Sequence, residues 1–314
     1  MPELRRTLSP REIPVLQNTF DMDIVITYVD GLDPLWRKDY EQYVGKEMLA
    51  KRFRDWGTLR YLFRGIEKNI PFAGKVFLLV ARESQVPAWI DRTRVNVVLH
   101  SDIIPAGSLP LFNASSIEMF LHRIPGLDEE FVYFNDDTFP VLSCAPEDFF
   151  VGGKAVNRMS MHAVCFGNQF RRLCRRTSDF ARKVAGLPRS PFYIRPQHTA
   201  TSMLRSVSEE FFLSNEEELV NCLSRIRELK NYNQYVFLDY LHYTGRSVNK
   251  GKSNKHFSLA SSSADDVCGF LVAPSRKLVC INDVQMSDER YSACRKSILD
   301  AFEKLLPEKS GFEL

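Results

Sequence analysis

A chain of 314 residues with 44% hydrophobic and 12% aromatic content can bury a full globular core, which excludes a disordered or fibrous protein. A formal net charge of +3 is small for this length and points to no nucleic-acid partner, although basic residues cluster between Arg171 and Arg195. The longest apolar runs, residues 76–81 and 95–99, fall far short of the roughly 20 residues of a membrane helix, and residues 1–11 carry charges and prolines where a secretory signal has an apolar stretch. A soluble cytoplasmic protein is therefore expected.

Taken in chain order, DIVITYV at residues 23–29 is a β-branched run that stops at Asp30-Gly31, so it reads as a buried strand with a carboxylate at its C-terminal tip. Residues 55–69 place Leu59, Leu62, Phe63 and Ile66 on one helical face, and Pro71 marks the stop. Residues 75–80 and 95–100 are again short apolar runs. Ser115 and Ser116 are placed to cap a helix carrying Ile117, Phe120 and Leu121, which Pro125-Gly126 ends. The next strand, residues 131–134, runs straight into Asn135-Asp136-Asp137. From Met161 to about Gly245 the signals are helical and irregular with many basic residues, and residues 250–266, rich in Ser and Lys, read as a mobile loop. A last apolar run, residues 278–281, leads into Asn282-Asp283. From Asp288, the residues Tyr291, Cys294, Ile298, Phe302 and Leu305 recur at helical spacing and predict a packing helix.

Repeated strand–helix–strand units of this length predict an α/β fold, a mostly parallel sheet flanked by helices with a helical basic insertion. Ligands on such sheets gather outside the C-terminal strand ends, where Asp30, Asn135-Asp136-Asp137 and Asp283 all fall. The expected organisation is an extension over 1–20 and one catalytic domain over 21–314. Within it lie an α/β half (21–150), a helical basic substrate-binding region (151–270) and a closing strand and helix (271–314).

The chemistry of these residues admits two readings each. A carboxylate pair such as Asp136 and Asp137 can hold Mg²⁺ or Mn²⁺ while the metal bridges a diphosphate, and the same residues suit a plain acidic turn. Asp30 shares that ambiguity. His198, in RPQHTAT, titrates near neutrality and can take a proton from a hydroxyl, or it can be a hydrogen-bonded structural residue. Arg171, Arg172, Arg175, Arg176, Arg225 and Arg227 can grip phosphates bidentately or form a solvated face. Seven cysteines (Cys144, Cys165, Cys174, Cys222, Cys268, Cys280, Cys294) show no CxxC pair and no zinc-site spacing, so they read as buried free thiols in a reducing cytosol.

Four stretches in order resemble the Stealth family, which includes bacterial capsule and exopolysaccharide phosphotransferases and the catalytic subunit of the lysosomal-enzyme N-acetylglucosamine-1-phosphotransferase. They are DIVITYVDGLDP; RFRDWGTLRYLFRGIEKNIPF continuing through LPLFNASSIEMFLHRIPGL to FVYFNDDTF; the arginines near Arg175 with PQHTAT; and LVCIND. Two departures stand out: Tyr28 where the family often has Trp, and Gly65 in place of a common Ser. The resemblance implies a nucleotide-sugar-transferase-like sheet and transfer of a hexose or N-acetylhexosamine 1-phosphate from a UDP-sugar donor to a glycan acceptor, with release of UMP. It implies Mg²⁺ or Mn²⁺ on Asp136 and Asp137, and it places His198, Asp30, Asp137 and Arg227 in catalysis. Asn135, Arg60, Arg64, Asn113, Arg175, Arg176, Arg225, Asn282 and Asp283 are the expected substrate contacts. His198 would be a general base or, alternatively, a covalent nucleophile, while Asp30 and Asp283 would orient the acceptor, the base or the water around the metal. The implied setting is polysaccharide synthesis at the inner face of a bacterial membrane, with no nucleic acid and no transmembrane segment. The competing readings are an ordinary glycosyltransferase that releases UDP and a non-enzymatic polyanion- or carbohydrate-binding protein.

Overall fold

The computed structural model describes residues 22–45, 48, 53–163, 169–251 and 253–314; the extension expected over 1–20 and Cys165 lie outside them. The first apolar run forms β1 (Met22–Thr27), whose residues are buried on both faces as in a central parallel strand. After it come α1 (Pro34–Val44), α2 (Leu59–Asn69), β2 (Ala73–Val80), β3 (Val95–Leu99), the short α3 (His100–Ile103) and α4 (Ala114–Ile117), and then β4 (Glu130–Asn135). These strands lie side by side in the order β3-β2-β1-β4, all parallel. The chain winds from β1 outward through β2 to β3 and returns to the other side of β1 as β4. The connections after β1 and β4 therefore diverge, and a crevice opens between the two strand ends.

The helix before β4 departs from the sequence expectation. Asn113, rather than Ser115 or Ser116, is its N-cap and accepts the Ser115 N–H at 3.2 Å. Both serines lie inside the first turn, and Phe120 and Leu121 follow on 3₁₀ turns spanning Glu118–Arg123.

The second half is less helical than its composition suggests. It runs β5 (Thr138–Pro140), β6 (Phe150–Val151), β7 (Lys154–Asn157), β8 (Met159–Ala163), α5 (Gln169–Val184), β9 (Phe192–Pro196), β10 (Thr201–Leu204), α6 (Arg205–Ser214), α7 (Glu216–Asn221) and α8 (Tyr235–Tyr243). β8 and β9 pair antiparallel around α5, and β10 adds antiparallel to β4 as the fifth strand of the main sheet. The four residues of β10 carry almost no strand signal alone; the open edge of β4 supplies it.

The closing elements are β11 (Ser247–Asn249), β12 (Lys255–Ser258), α9 (Ala264–Val272), β13 (Leu278–Asn282) and α10 (Asp288–Leu305). Residues 250–266 were expected to be a loop, but β12 within them pairs parallel with β13. β13 does not join the main sheet; it sits between β12 and β5 in a separate three-stranded sheet.

Strand alternation divides the core. Ile24, Ile26, Val132 and Phe134 face one side with Leu62, Phe63, Ile66 and Phe302, while Val25, Phe131 and Tyr133 face the other with Met203, Phe211 and Phe237. This makes a helix–sheet–helix sandwich. Gly65 has a steric reason: a Cβ there would sit 2.6 Å from the Pro140 carbonyl oxygen, so glycine lets α2 lie directly on β5. Among the described residues, no helix is long and apolar enough to cross a membrane.

Candidate active site

A cavity of about 680 Å³ occupies the crevice at the ends of β1 and β4, a size suited to a ligand larger than a single sugar. Its floor is a buried polar network. The Tyr133 hydroxyl donates to Glu118 Oε1 at 3.2 Å and accepts from Asn135 Nδ2 at 3.0 Å, and it lies 2.9 Å from the Thr27 hydroxyl. One donor and two acceptors are thereby satisfied, which fixes Asn135 at the tip of β4. Burial raises the pKa of Glu118, and the Gln234 N–H and the nearby Arg227 charge temper the rise.

The register of β10 brings in His198. Thr201 pairs antiparallel with Tyr133, so the residues before Thr201 run beside those after Tyr133 and set His198 against the Asn135-Asp136-Asp137 tip. His198 Nε2 lies 3.3 Å from Asp137 Oδ2. A second register does the same for Cys280. It pairs with Thr138 across β13 and β5, and its Sγ donates to the same Asp137 Oδ2 at 3.5 Å.

Burial works against charge at both His198 and Asp137, yet their mutual attraction outweighs it. The histidine pKa is raised well above its ordinary value, with the Cys280 sulfur and the Asp137 carboxylate favouring the cation, and the Asp137 pKa is lowered. The thiol itself is pushed up to about 12, chiefly by burial and then by Asp137. Asp136 is raised to about 7 by burial and by the neighbouring charges of Asp137 and Asp55. Asp136, whose charge is disfavoured by burial and by the carboxylates beside it, is with Asp137 a donor set suited to a hard divalent cation.

Another wall is built from residues 53–56 and from the end of β13. Arg54 grips Asp283 bidentately, Nε to Oδ2 at 2.8 Å and Nη2 to Oδ1 at 3.3 Å, and also donates to the Val284 carbonyl at 2.8 Å. The Tyr291 hydroxyl donates to the Asp55 carbonyl at 2.5 Å, and its ring lies under Arg54 and edge-on to Trp56. α10 is thus more than a packing helix, because Tyr291 anchors the segment carrying Arg54 and Asp55. Gly31 allows the same segment to approach β1: a Cβ there would sit 2.2 Å from the Phe53 carbonyl oxygen.

The expected residues separate clearly. Asn135, Asp136, Asp137, His198, Arg227, Asn282, Asp283 and Asn113 line the cavity. Asn113 serves indirectly: its buried Nδ2 donates to Asn231 Oδ1 at 2.9 Å and to the Ile226 carbonyl at 3.3 Å, so it holds the loop that carries Arg227. Asp30 is absent from the lining. Its Oδ1 accepts the Leu32 N–H at 2.8 Å within its own turn.

Five of the expected arginines lie outside the cavity lining. Arg60 lies over the Trp89 ring and Arg225 over Tyr43. Arg175 pairs on the surface with Asp179 one turn along α5. Arg176 donates to Cys222 Sγ and the Leu229 carbonyl, both at 3.0 Å, so it braces the far end of the Arg227 loop. Arg64 is buried in an ion pair with Glu313. Arg54, Asp55, Glu118, Tyr133 and Cys280 were not anticipated, although Arg54 and Asp55 lie in RFRDWG and Cys280 in LVCIND. Six cysteines are free thiols among the described residues, five of them buried, and only Cys280 reaches the site.

Residues 52–157 match the family model for conserved region 2 of the Stealth proteins. The chain is 30% identical to the capsular polysaccharide phosphotransferase WcwK of Streptococcus pneumoniae, covering 93% of this chain and 99% of that protein. It is 29% identical to the exopolysaccharide phosphotransferase cps2G of Lactiplantibacillus plantarum, over 94% and 96% of the two. Among solved structures, the galactosyltransferase LgtC aligns over 88% of this chain and 96% of its own, with 12% identity and a TM-score of 0.40. That likeness is too loose to bear on function. The relationship to WcwK spans nearly both chains, and it sets aside the non-enzymatic reading: the chain is a transferase and belongs to the Stealth family of phosphotransferases.

Proposed function

We propose that this enzyme transfers a hexose 1-phosphate or N-acetylhexosamine 1-phosphate from a UDP-sugar to a glycan hydroxyl, forming a phosphodiester and releasing UMP. The observation that carries the reading is the meeting of Asp136, Asp137, His198 and Arg227 in one cavity. Asp136 and Asp137, with the charge of Asp55 nearby, would hold Mg²⁺ or Mn²⁺, and a cation there would neutralise the diphosphate. Arg227 adds a fixed positive charge to the same cavity.

His198, in the neutral form that its raised pKa confines to higher pH, would take the proton of the acceptor hydroxyl. Its Nε2 faces Asp137, which leaves Nδ1 as the nitrogen to receive that proton, and Asp137 stabilises the resulting imidazolium without accepting the proton itself. The hydroxyl oxygen then attacks the β-phosphorus in line. The sugar's anomeric C–O bond stays intact and the bond to UMP breaks. Asp283, held by Arg54, would orient the acceptor. The catalytic unit runs over residues 21–314, since cavity walls come from its beginning, middle and end.

The names of the relatives support a role in capsule or exopolysaccharide synthesis. Between residues 169 and 195 eight Lys and Arg residues face one acidic residue, Asp179, a balance suited to an anionic acceptor and to work from the cytoplasm at the inner membrane face. The test is purified protein with Mg²⁺, a panel of UDP-sugars and a glycan acceptor. UMP is expected; UDP would mean attack at the anomeric carbon and would overturn the proposal.

A further inference from the structure

Asp137, His198 and Cys280 are distant in sequence and offer one carboxylate oxygen, one imidazole nitrogen and one sulfur, all within 4.8 Å of one another. This donor set shares Asp137 with the oxygen-only set of Asp136 and Asp137 but differs in kind, because it adds nitrogen and sulfur. A hard cation such as Mg²⁺ takes oxygen and avoids sulfur, whereas Zn²⁺ accepts mixed S, N and O ligands.

The spacing fits as well. With Zn–N and Zn–O bonds of about 2.05 Å and a Zn–S bond of about 2.3 Å, a tetrahedral ion separates N from O by about 3.35 Å and S from O by about 3.55 Å. The observed separations are 3.3 Å between His198 Nε2 and Asp137 Oδ2 and 3.5 Å between Cys280 Sγ and the same oxygen. Access is provided too: the His198 and Asp137 side chains are 31% and 24% exposed and line the cavity, while Cys280 lies behind them, fully buried.

We propose that Asp137, His198 and Cys280 form a zinc site that switches the transferase off. Coordination replaces the S–H proton and occupies the imidazole nitrogen that otherwise faces Asp137. The ring is then held as a metal ligand, Asp137 no longer stabilises an imidazolium, and His198 cannot take the acceptor proton. A fourth ligand position would be reached from the cavity that Asp137 and His198 line, by water or by a phosphate oxygen. The inhibitory half of this inference rests on the role given above to His198; the site itself does not.

Co²⁺ is the probe, because it adopts tetrahedral zinc sites and a bound thiolate gives it a strong near-ultraviolet charge-transfer absorption. The wild-type protein should develop this band, Zn²⁺ should erase it, and excess Mg²⁺ should leave it in place. Cys280→Ser and Cys280→Ala should both lack it. No band in the wild type, or a band that survives in either variant, would overturn the site, and the wild-type titration decides even if a variant fails to fold.

For inhibition, Zn²⁺ is titrated into UMP-releasing reactions held at excess Mg²⁺, each protein scaled to its own zinc-free rate. Changing groups behind a metal ligand costs about 10–100-fold in affinity, so losing the sulfur itself should weaken inhibition by at least about 100-fold. Equal sensitivity in the wild type and in Cys280→Ser would refute the switch. If no UMP forms under any condition, the assigned reaction fails while the absorption still reads the site.

Discussion

Arg64 lies in a block that resembles the family's substrate-binding stretch, yet the structure turns it away from the cavity, and replacing it separates the two roles. Its guanidinium is 7% exposed and its main partner, the Glu313 carboxylate, 1% exposed. Nε donates to Glu313 Oε1 at 2.8 Å, Nη2 to Oε2 at 3.2 Å, and Nη1 to the Leu306 carbonyl at 2.9 Å. Glu303 adds a contact at 3.1 Å but is 54% exposed, so it contributes little. Arg64→Met keeps most of the stem packing and strands a buried carboxylate, which should cost about 3–5 kcal/mol. For a chain of this length that corresponds to a fall in melting temperature of roughly 5–8 °C.

Adding Glu313→Gln should recover part of the loss, because the stranded charge disappears. The effect carries a pH signature. Burial would raise the Glu313 pKa, but the hydrogen bond from Arg64 holds it below its ordinary 4.5. A depressed carboxylate contributes stability that is present above its unfolded value and lost as pH falls through the folded one, so the gap between wild type and variant should narrow as pH falls below the ordinary 4.5. Thermal unfolding from pH 3.5 to 7, together with donor KM, reads both roles. An unchanged melting temperature with a raised KM would refute the structural assignment and return Arg64 to the substrate.

His198→Ala should lower the rate by about 10²–10⁴ with the fold intact, and a chiral phosphorus should emerge inverted; retention would indicate a covalent histidine intermediate instead. Asn113→Ala should reduce activity by loosening the Arg227 loop, and in a double-mutant cycle Asn113→Ala with Arg227→Ala should lose little more than Arg227→Ala alone; full additivity of the two rate losses would disprove that route. Arg54→Ala should raise the KM for the glycan acceptor more than for the UDP-sugar, since it frees Asp283; an effect on donor KM alone would move Asp283 to the donor side. Phe302→Ala, which empties a fully buried site against Phe139 and Tyr61, should cost about 3–5 kcal/mol by denaturant unfolding; a loss below about 1 kcal/mol would contradict the packing of α10 on the core.

The sequence by itself determined the elements whose pattern is local. β1, β2 and β4 carry runs of buried residues because both their faces are covered, β3 at the edge keeps the apolar side that faces the core, and α10 repeats its buried residues every three or four positions. Each signal survives without knowledge of the partner. The acidic strand tips are equally legible, since turn chemistry ends a strand where the chain leaves the sheet, and the order of the blocks carried the family.

Only the tertiary structure decided which of these residues meet. β10 is a strand because β4 offers an edge, and its register is what delivers His198 to Asp137. β13 belongs to a second sheet, and that register delivers Cys280 and Asp283. Cysteine spacing could not disclose a mixed donor set whose three members lie at positions 137, 198 and 280. The arginines show the same limit from the other side. A guanidinium reads alike in sequence whether it faces a phosphate, as Arg227 can, or a buried carboxylate, as Arg64 does, because the choice depends on the counter-charge that folding places beside it.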